Sequence, residues 1–198
     1  MKKPEARRRL LIVAAIAAIL IFASSFVLSS FVKLNLTASM PVGVYLVHAT
    51  KELRRGVIVV ACPPADAQRV GVENGYLAPA RGVLPASRCD AGSAPLLKYA
   101  IALAGDVVKI NARGLEVDGQ LVDAHKIARV DRNGRALTSM PDGTYRLGAG
   151  DVWLYSPAAY SWDSRYFGPA KLRDVVGTAV PLWTTDRNGV ARPPDPQN

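Results

Sequence analysis

The stretch "LLKYAIALAGDVV", Leu96 to Val108, decides how the chain is read. It is a short apolar run that ends at a Gly-Asp turn, which reads as a β-strand. Strand alternation places Leu97, Tyr99, Ile101 and Leu103 on one face, as core, and Lys98, Ala100 and Ala102 on the other. The second face sets one long amine beside two methyl side chains. It is expected to form a shallow apolar strip along which an extended peptide lies and in which Lys98 is poorly hydrated. Burial disfavours the ammonium form, so such a lysine can serve as a general base near neutral pH. Most strand lysines are simply solvated, and the rest of the sequence has to decide.

Working outward, the chain alternates short β-rich runs with Gly, Pro and Asp turns. They are "GVYLVHA", "GVIVVAC", "LLKYAIALAG", "DVVKINA", "GLEVDGQLV", "GTYRLGAG", "DVWLYSP" and "DVVGTAVPLW". This pattern predicts a mainly β domain over 33–185, with an Asp-Gly hairpin turn inside Leu115 to Val122. The interval 63–95 differs, being rich in Ala, Pro and Gly with one short helix expected around Ala65 to Glu73. It is bracketed by Cys62 and Cys89, the only cysteines. With no CxxC pair, and only His48 and His125 as imidazoles, a metal site has too few soft ligands at usable spacing. A disulfide stapling the base of an insertion is the better reading in an oxidising compartment, two buried thiols the alternative. The tail 186–198 has nothing to bury and reads as disordered.

The net charge of +9 is concentrated at the start, where residues 1–9 hold five basic residues against Glu5. What remains is ordinary for a domain of this size and gives no reason to expect nucleic acid as a partner. Leu10 to Val32 contains no charge, Pro or Gly. As a helix at 1.5 Å per residue it is about 34 Å long, enough to cross a bilayer and longer than the core of a cleaved signal peptide. Residues 10–32 are therefore expected to be a retained transmembrane anchor. The basic segment 1–9 keeps the N-terminus cytoplasmic and sends 33–185 to the periplasmic face of a bacterial inner membrane, with membrane lipid as a neighbour.

Ser39 follows the span by seven residues, in "SMPVGVY". Neither histidine lies near a Gly-x-Ser-x-Gly elbow, so both read as surface or structural residues, and a lysine is the better base for a serine here. The order of "SMP", "LLKYAIALAGDVV" and "SWDSRYFG", Ser161 to Gly168, resembles the type I signal peptidase family of Ser/Lys proteases. The closing box is the specific part of that match. The resemblance implies a signal peptidase I-like β-rich catalytic domain preceded by one transmembrane helix, with no cofactor and no metal. It makes Ser39 the nucleophile and Lys98 its general base. The Ser39 N–H and Thr37 hydroxyl become oxyanion donors, Ser161 orients the Lys98 amine, and Asp163 pairs with Arg165 to hold the box. A carboxylate close to Lys98 opposes its role as a base, so Asp163 is expected to be engaged mainly by Arg165.

The common export enzyme has one more residue between Met and Pro, an Arg after the lysine and a Pro before the Gly-Asp. Here stand Met40-Pro41, Tyr99 and Ala104. The compact size, "CPP" at Cys62 to Pro64, Cys89 and "DSRYFGP" look instead like the conjugative-transfer branch, the TraF-type pilin-maturation peptidases. In that branch the Cys62–Cys89 bridge is a family feature, expected to add about 3 kcal/mol. The implied substrate is a pilin precursor cleaved after a small residue, with water or the pilin's own amine resolving the acyl-enzyme, and the pilus assembly machinery is an implied partner. The alternatives are a general signal peptidase acting on many exported preproteins and a non-catalytic membrane-anchored assembly factor. A soluble self-cleaving Ser/Lys repressor is opposed by the span and by the lack of a DNA-binding helical region. The second copy, "SMPDGTY" at Ser139 to Tyr145, reads as a turn entering a strand, so Ser39 and not Ser139 carries the chemistry.

Overall fold

The structure, a computed structural model, describes residues 3–49, 52–80 and 89–185, with side chains outside 3–6 and 21–30. The alternating runs fold into two antiparallel sheets. The larger has the order β1-β2-β11-β3-β4-β9-β10, built from Val32–Asn35, Val42–His48, Val175–Thr185, Val57–Ala61, Leu96–Leu103, Asp151–Tyr155 and Ala170–Lys171. The smaller has the order β7-β6-β5-β8, from Gln120–Asp123, Gly114–Val117, Val107–Asn111 and Gly143–Arg146. All eight expected runs are strands, and the expected Asp-Gly hairpin joins β6 to β7. The main core lies between the sheets, where Tyr45, Val47, Val60, Tyr99 and Trp153 meet Val108, Ile110, Leu115 and Val117.

The strand carrying Lys98 departs from simple alternation. Its pairing with β9 slips between Ala100 and Ala102, so Ile101 bulges. A bulge reverses which side later residues face. Ala102 therefore joins the main core and Leu103 packs on the opposite side, the reverse of their expected placement. The expected open peptide strip is also absent, because Ala100 is sealed among Val59, Ala61, Leu154 and Ala170, with Phe167 and Leu53 over it. The face that was to receive a substrate is a second core.

Helix α1 spans Lys3–Phe31, and Val32, the last residue of the expected span, instead opens β1 with no linker. Among the described residues no helix is long and apolar enough to cross a membrane. Residues 21–30 of the expected span lie outside the described side chains, as does the whole of the expected tail 186–198 and 81–88 of the insertion. The insertion joins the paired strands β3 and β4, and the Cys62–Cys89 disulfide closes it at its base. Its helix α2, Ala65–Glu73, lies where the sequence predicts. Trp162 fixes it to the rest of the fold, donating Nε1–H to Ala67 O at 3.1 Å and packing against Tyr76, Tyr166 and Phe167.

The two Ser-Met-Pro copies form the same local device. Tyr45 donates its hydroxyl to Pro41 O at 2.6 Å, and Tyr145 donates to Pro141 O at 2.5 Å, each closing the turn that enters its strand. Their glycines differ in what surrounds them. A Cβ on Gly43, at φ +157°, would lie 2.1 Å from Trp183 O on β11, whereas one on Gly143 would meet nothing closer than 3.5 Å. Gly43→Ala is therefore expected to cost roughly 2 kcal/mol or more, and Gly143→Ala less than about 1 kcal/mol, in urea titrations of the full chain in detergent.

Candidate active site

Ser39 sits in the turn between β1 and β2, half-buried between exposed Thr37 and the fully buried Met40. Asn35, the last residue of β1, is buried beneath this turn, and its side-chain NH2 donates to Thr37 O, Met40 O and Pro41 O at 2.9–3.0 Å. Ser156, just after β9, donates its hydroxyl to Ser39 O. The serine is thus fixed from below and from behind.

Lys98 comes from β4, two positions into the strand that follows the insertion, and is only 2% exposed. Its Nζ lies 2.8 Å from Ser39 Oγ, although the residues are 59 positions apart. Burial lowers the lysine from its ordinary 10.5 to about 8, with Asp163 pushing it back up and Arg165 pushing it further down. The expected tension is thus real, and burial dominates it.

Asp163 is neutralised close at hand. Arg165 donates Nε–H to its Oδ1 at 2.9 Å and an NH2 proton to its Oδ2 at 2.8 Å, with both side chains buried. Ser156 N–H also donates to Asp163 Oδ2, at 3.1 Å. Arg165 reaches Asp123 Oδ2 on β7 at 3.0 Å and lies over the Tyr155 ring at 4.9 Å. Burial disfavours the guanidinium, yet Asp163, by its charge and its hydrogen bonds, together with Tyr155 and Tyr166 holds its pKa raised. The closing box is a charged staple between the two sheets.

Three other expected residues fall differently. Ser161 Oγ is buried and has no hydrogen-bond partner, so its expected bond to the Lys98 amine is not formed. The amine is oriented by Ser39 Oγ itself. The Thr37 hydroxyl, expected to face an oxyanion, donates to Asn35 Oδ1 at 2.8 Å and lies 3.3 Å from Ser39 Oγ. Ser139 is buried, its hydroxyl accepting from Arg129 at 2.5 Å, and its neighbour Met140 donates N–H to Arg165 O at 2.8 Å, so the second motif backs the box. His48 and His125 are exposed, as expected of surface residues, and His125 pairs with Asp123 at 2.7 Å.

Asn35, Ser156, Asp123 and Tyr155 went unread in the sequence. Only Asn35 left a signal, since an Asn two residues before a Thr, after a strand, is an Asx-turn pattern. The others act across the fold, from strands whose neighbours the sequence does not specify. Among the described residues no group of three His, Cys, Asp or Glu side chains could hold a metal ion. Chemically, the arrangement is a hydroxyl within proton-transfer reach of a poorly hydrated amine.

The family model described as "Signal peptidase, peptidase S26" matches residues 6–183. The "Conjugal transfer protein TraF" of Agrobacterium fabrum (strain C58) is 35% identical over 155 residues, covering 78% of this chain and 83% of that protein. A "Plasmid transfer protein TraF" of Escherichia coli is 30% identical, covering 87% of this chain and 93% of that protein. The "Conjugal transfer protein TraF" of Agrobacterium tumefaciens (strain 15955) is 33% identical, covering 90% and 97%. A solved signal peptidase I from Enterococcus faecalis V583 is more distant, at 18% identity and a TM-score of 0.38 over 67% of this chain and all of that one. The chain therefore belongs to the peptidase S26 signal peptidase family, among its conjugal-transfer TraF relatives.

Proposed function

We propose that this protein is a membrane-anchored serine endopeptidase with a Ser39/Lys98 dyad that processes a conjugative pilin precursor. The observation that carries the reading is the 2.8 Å approach of Lys98 Nζ to Ser39 Oγ. Neutral Lys98 takes the Ser39 proton as Oγ attacks the peptide carbonyl after a small residue, and the Ser39 N–H stabilises the oxyanion. Lys98 then gives that proton to the departing amine, leaving an ester on Ser39. Water, or the precursor's own N-terminal amine, attacks the ester with Lys98 again accepting the proton; the first yields a linear product and the second a ring. The TraF relatives, described as conjugal and plasmid transfer proteins, support a substrate from the conjugative apparatus.

The charge-free stretch 10–32 supports a membrane anchor, with the N-terminus cytoplasmic and the catalytic domain periplasmic. A second observation supports contact with the bilayer. Leu34 and Trp183 lie in register across Val44, on strands β1, β11 and β2, and with Leu36, Val180 and Leu182 they are exposed. This apolar surface borders the Ser39 turn and fits a site that works on substrates held at the membrane.

Ser39→Ala and Lys98→Ala are each expected to abolish processing of a co-expressed pilin precursor, while Ser139→Ala stays within about twofold of the parent. Intact mass reads the product: a product lighter by one water than the linear hydrolysis product signals cyclisation, and the linear mass itself signals hydrolysis. Processing by both alanine variants at the parent's rate would leave only an assembly role.

The lowered pKa of Lys98 has two further consequences. Activity is expected to rise with pH through about 8, because only the neutral amine accepts the proton. Below pH 8 the folded state bears the cost of a buried charge. Between about 8 and 10.5 the unfolded chain holds a proton that the folded chain does not, so stability rises with pH. Lys98→Met is therefore expected to be more stable than the parent at pH 7 and to lose that advantage across this window in urea titrations. Asp163→Asn leaves Arg165 short of one buried partner and is expected to lose about 3–5 kcal/mol in the same assay. It should also move the activity limb to lower pH, since the group that opposes neutral Lys98 is gone.

A further inference from the structure

We infer that Asn35 is a positioning residue that fixes the Ser39 turn in its attack geometry and sets the direction of the proton chain running through it. The inference rests on the Ser39/Lys98 reading above and adds to it a residue that touches neither substrate nor base.

Asn35 is 5% exposed, and its backbone is held by the β1–β2 ladder opposite Gly43. Its side-chain amide lies under the loop, donating to Thr37 O at 3.0 Å, Met40 O at 2.9 Å and Pro41 O at 3.0 Å. Three carbonyls on one side require the NH2 there, which leaves Oδ1 facing Thr37. Oδ1 accepts from Thr37 N–H at 3.3 Å and from Thr37 Oγ1 at 2.8 Å. One carboxamide therefore binds the backbone on both sides of Ser39. A buried asparagine serving this many partners cannot be replaced by a residue that only donates or only accepts.

A threonine hydroxyl has one proton, and Thr37 gives it to Asn35. Across the 3.3 Å to Ser39 Oγ, Thr37 is then only an acceptor. When Lys98 is charged it donates to Ser39 Oγ at 2.8 Å, and the Ser39 proton points towards Thr37. When Lys98 is neutral that proton turns to Nζ, and no hydroxyl donates to the Oγ lone pairs. A donor there would hold down the nucleophile, and Asn35 keeps that donor away.

The test uses the full chain in detergent micelles with p-nitrophenyl acetate as acyl donor. Ser39 Oγ attacks the acetyl carbonyl, the aryl ester bond breaks, p-nitrophenolate leaves, and the serine proton passes to Lys98. Absorbance follows the rate, intact and peptide mass locates the acetyl group, and rates are divided by the folded fraction from near-UV circular dichroism. Acetylation at Ser39 that is lost in Ser39→Ala supports the underlying reading; no acetylation of the parent at Ser39 overturns that reading and this inference together. Given acetylation, Asn35→Ala and Asn35→Asp are each expected to be about 100-fold slower, with KM within about threefold. In Asn35→Ala the rising limb near pH 8 stays in place, because Lys98 remains buried and no charge is added. Tyr45→Phe, which loses another hydrogen bond of the same turn, is expected to stay within about threefold. Either Asn35 variant within threefold of the parent, an Asn35→Ala limb that moves up towards the ordinary lysine range, or an equal loss in Tyr45→Phe overturns the inference.

Discussion

The amine of Lys98 has exchanged water for Ser39 Oγ, and the neighbouring structure is organised around that exchange. Burying a lysine is unfavourable to folding while it is charged, and an unshielded carboxylate nearby would restore the charge. The fold keeps Asp163 close and still leaves Lys98 lowered, because burial outweighs the carboxylate, while Arg165 binds both carboxylate oxygens and adds its own positive field. Arg165 is in turn held by Asp123 of the other sheet and by Ser156 O and Ala158 O. The electrostatics of one amine thus depend on a buried network spanning both sheets.

The same network reaches the serine by a second route. Ser156 binds Asp163 through its N–H and Ser39 O through its hydroxyl. The closing box is therefore joined to both members of the pair, by its field at Lys98 and by hydrogen bonding at Ser39. The insertion enters through Trp162, whose indole ties α2 to the residue beside Asp163. Its disulfide and the start of β4 put this element between Cys62 and the lysine strand, so the staple at its base also bounds the segment that leads to Lys98.

Much of this was legible in the chain because it was local or motif-borne. Each alternating run became a strand, α2 lies at its predicted residues, and Ser39 meets Lys98. The face assignment of β4 failed after Ala100 because a bulge depends on the partner strand, here β9, and not on the residues of β4 themselves. The strip beside Lys98 closed for a related reason: Ala100 is small, and Phe167 and Leu53 come from distant sequence to cover it. The Ser161 bond was carried over from a motif, and motifs convey residue order without side-chain rotamers. Asn35 and Ser156 escaped attention because their work is done on backbone carbonyls, which every residue has.

The junction of α1 and β1 has a mechanical consequence. Phe31 ends the helix and Val32 begins a strand whose four residues pair with Leu46 to Gly43. No residue separates them, so the helix passes directly into the sheet edge. The distance from the helix end to Ser39 is then a fixed length of chain, locked by ladder bonds and by the Asn35 carboxamide. A change of chain length at that junction therefore meets no slack before the Ser39 turn, and is passed on to the position of the nucleophile itself.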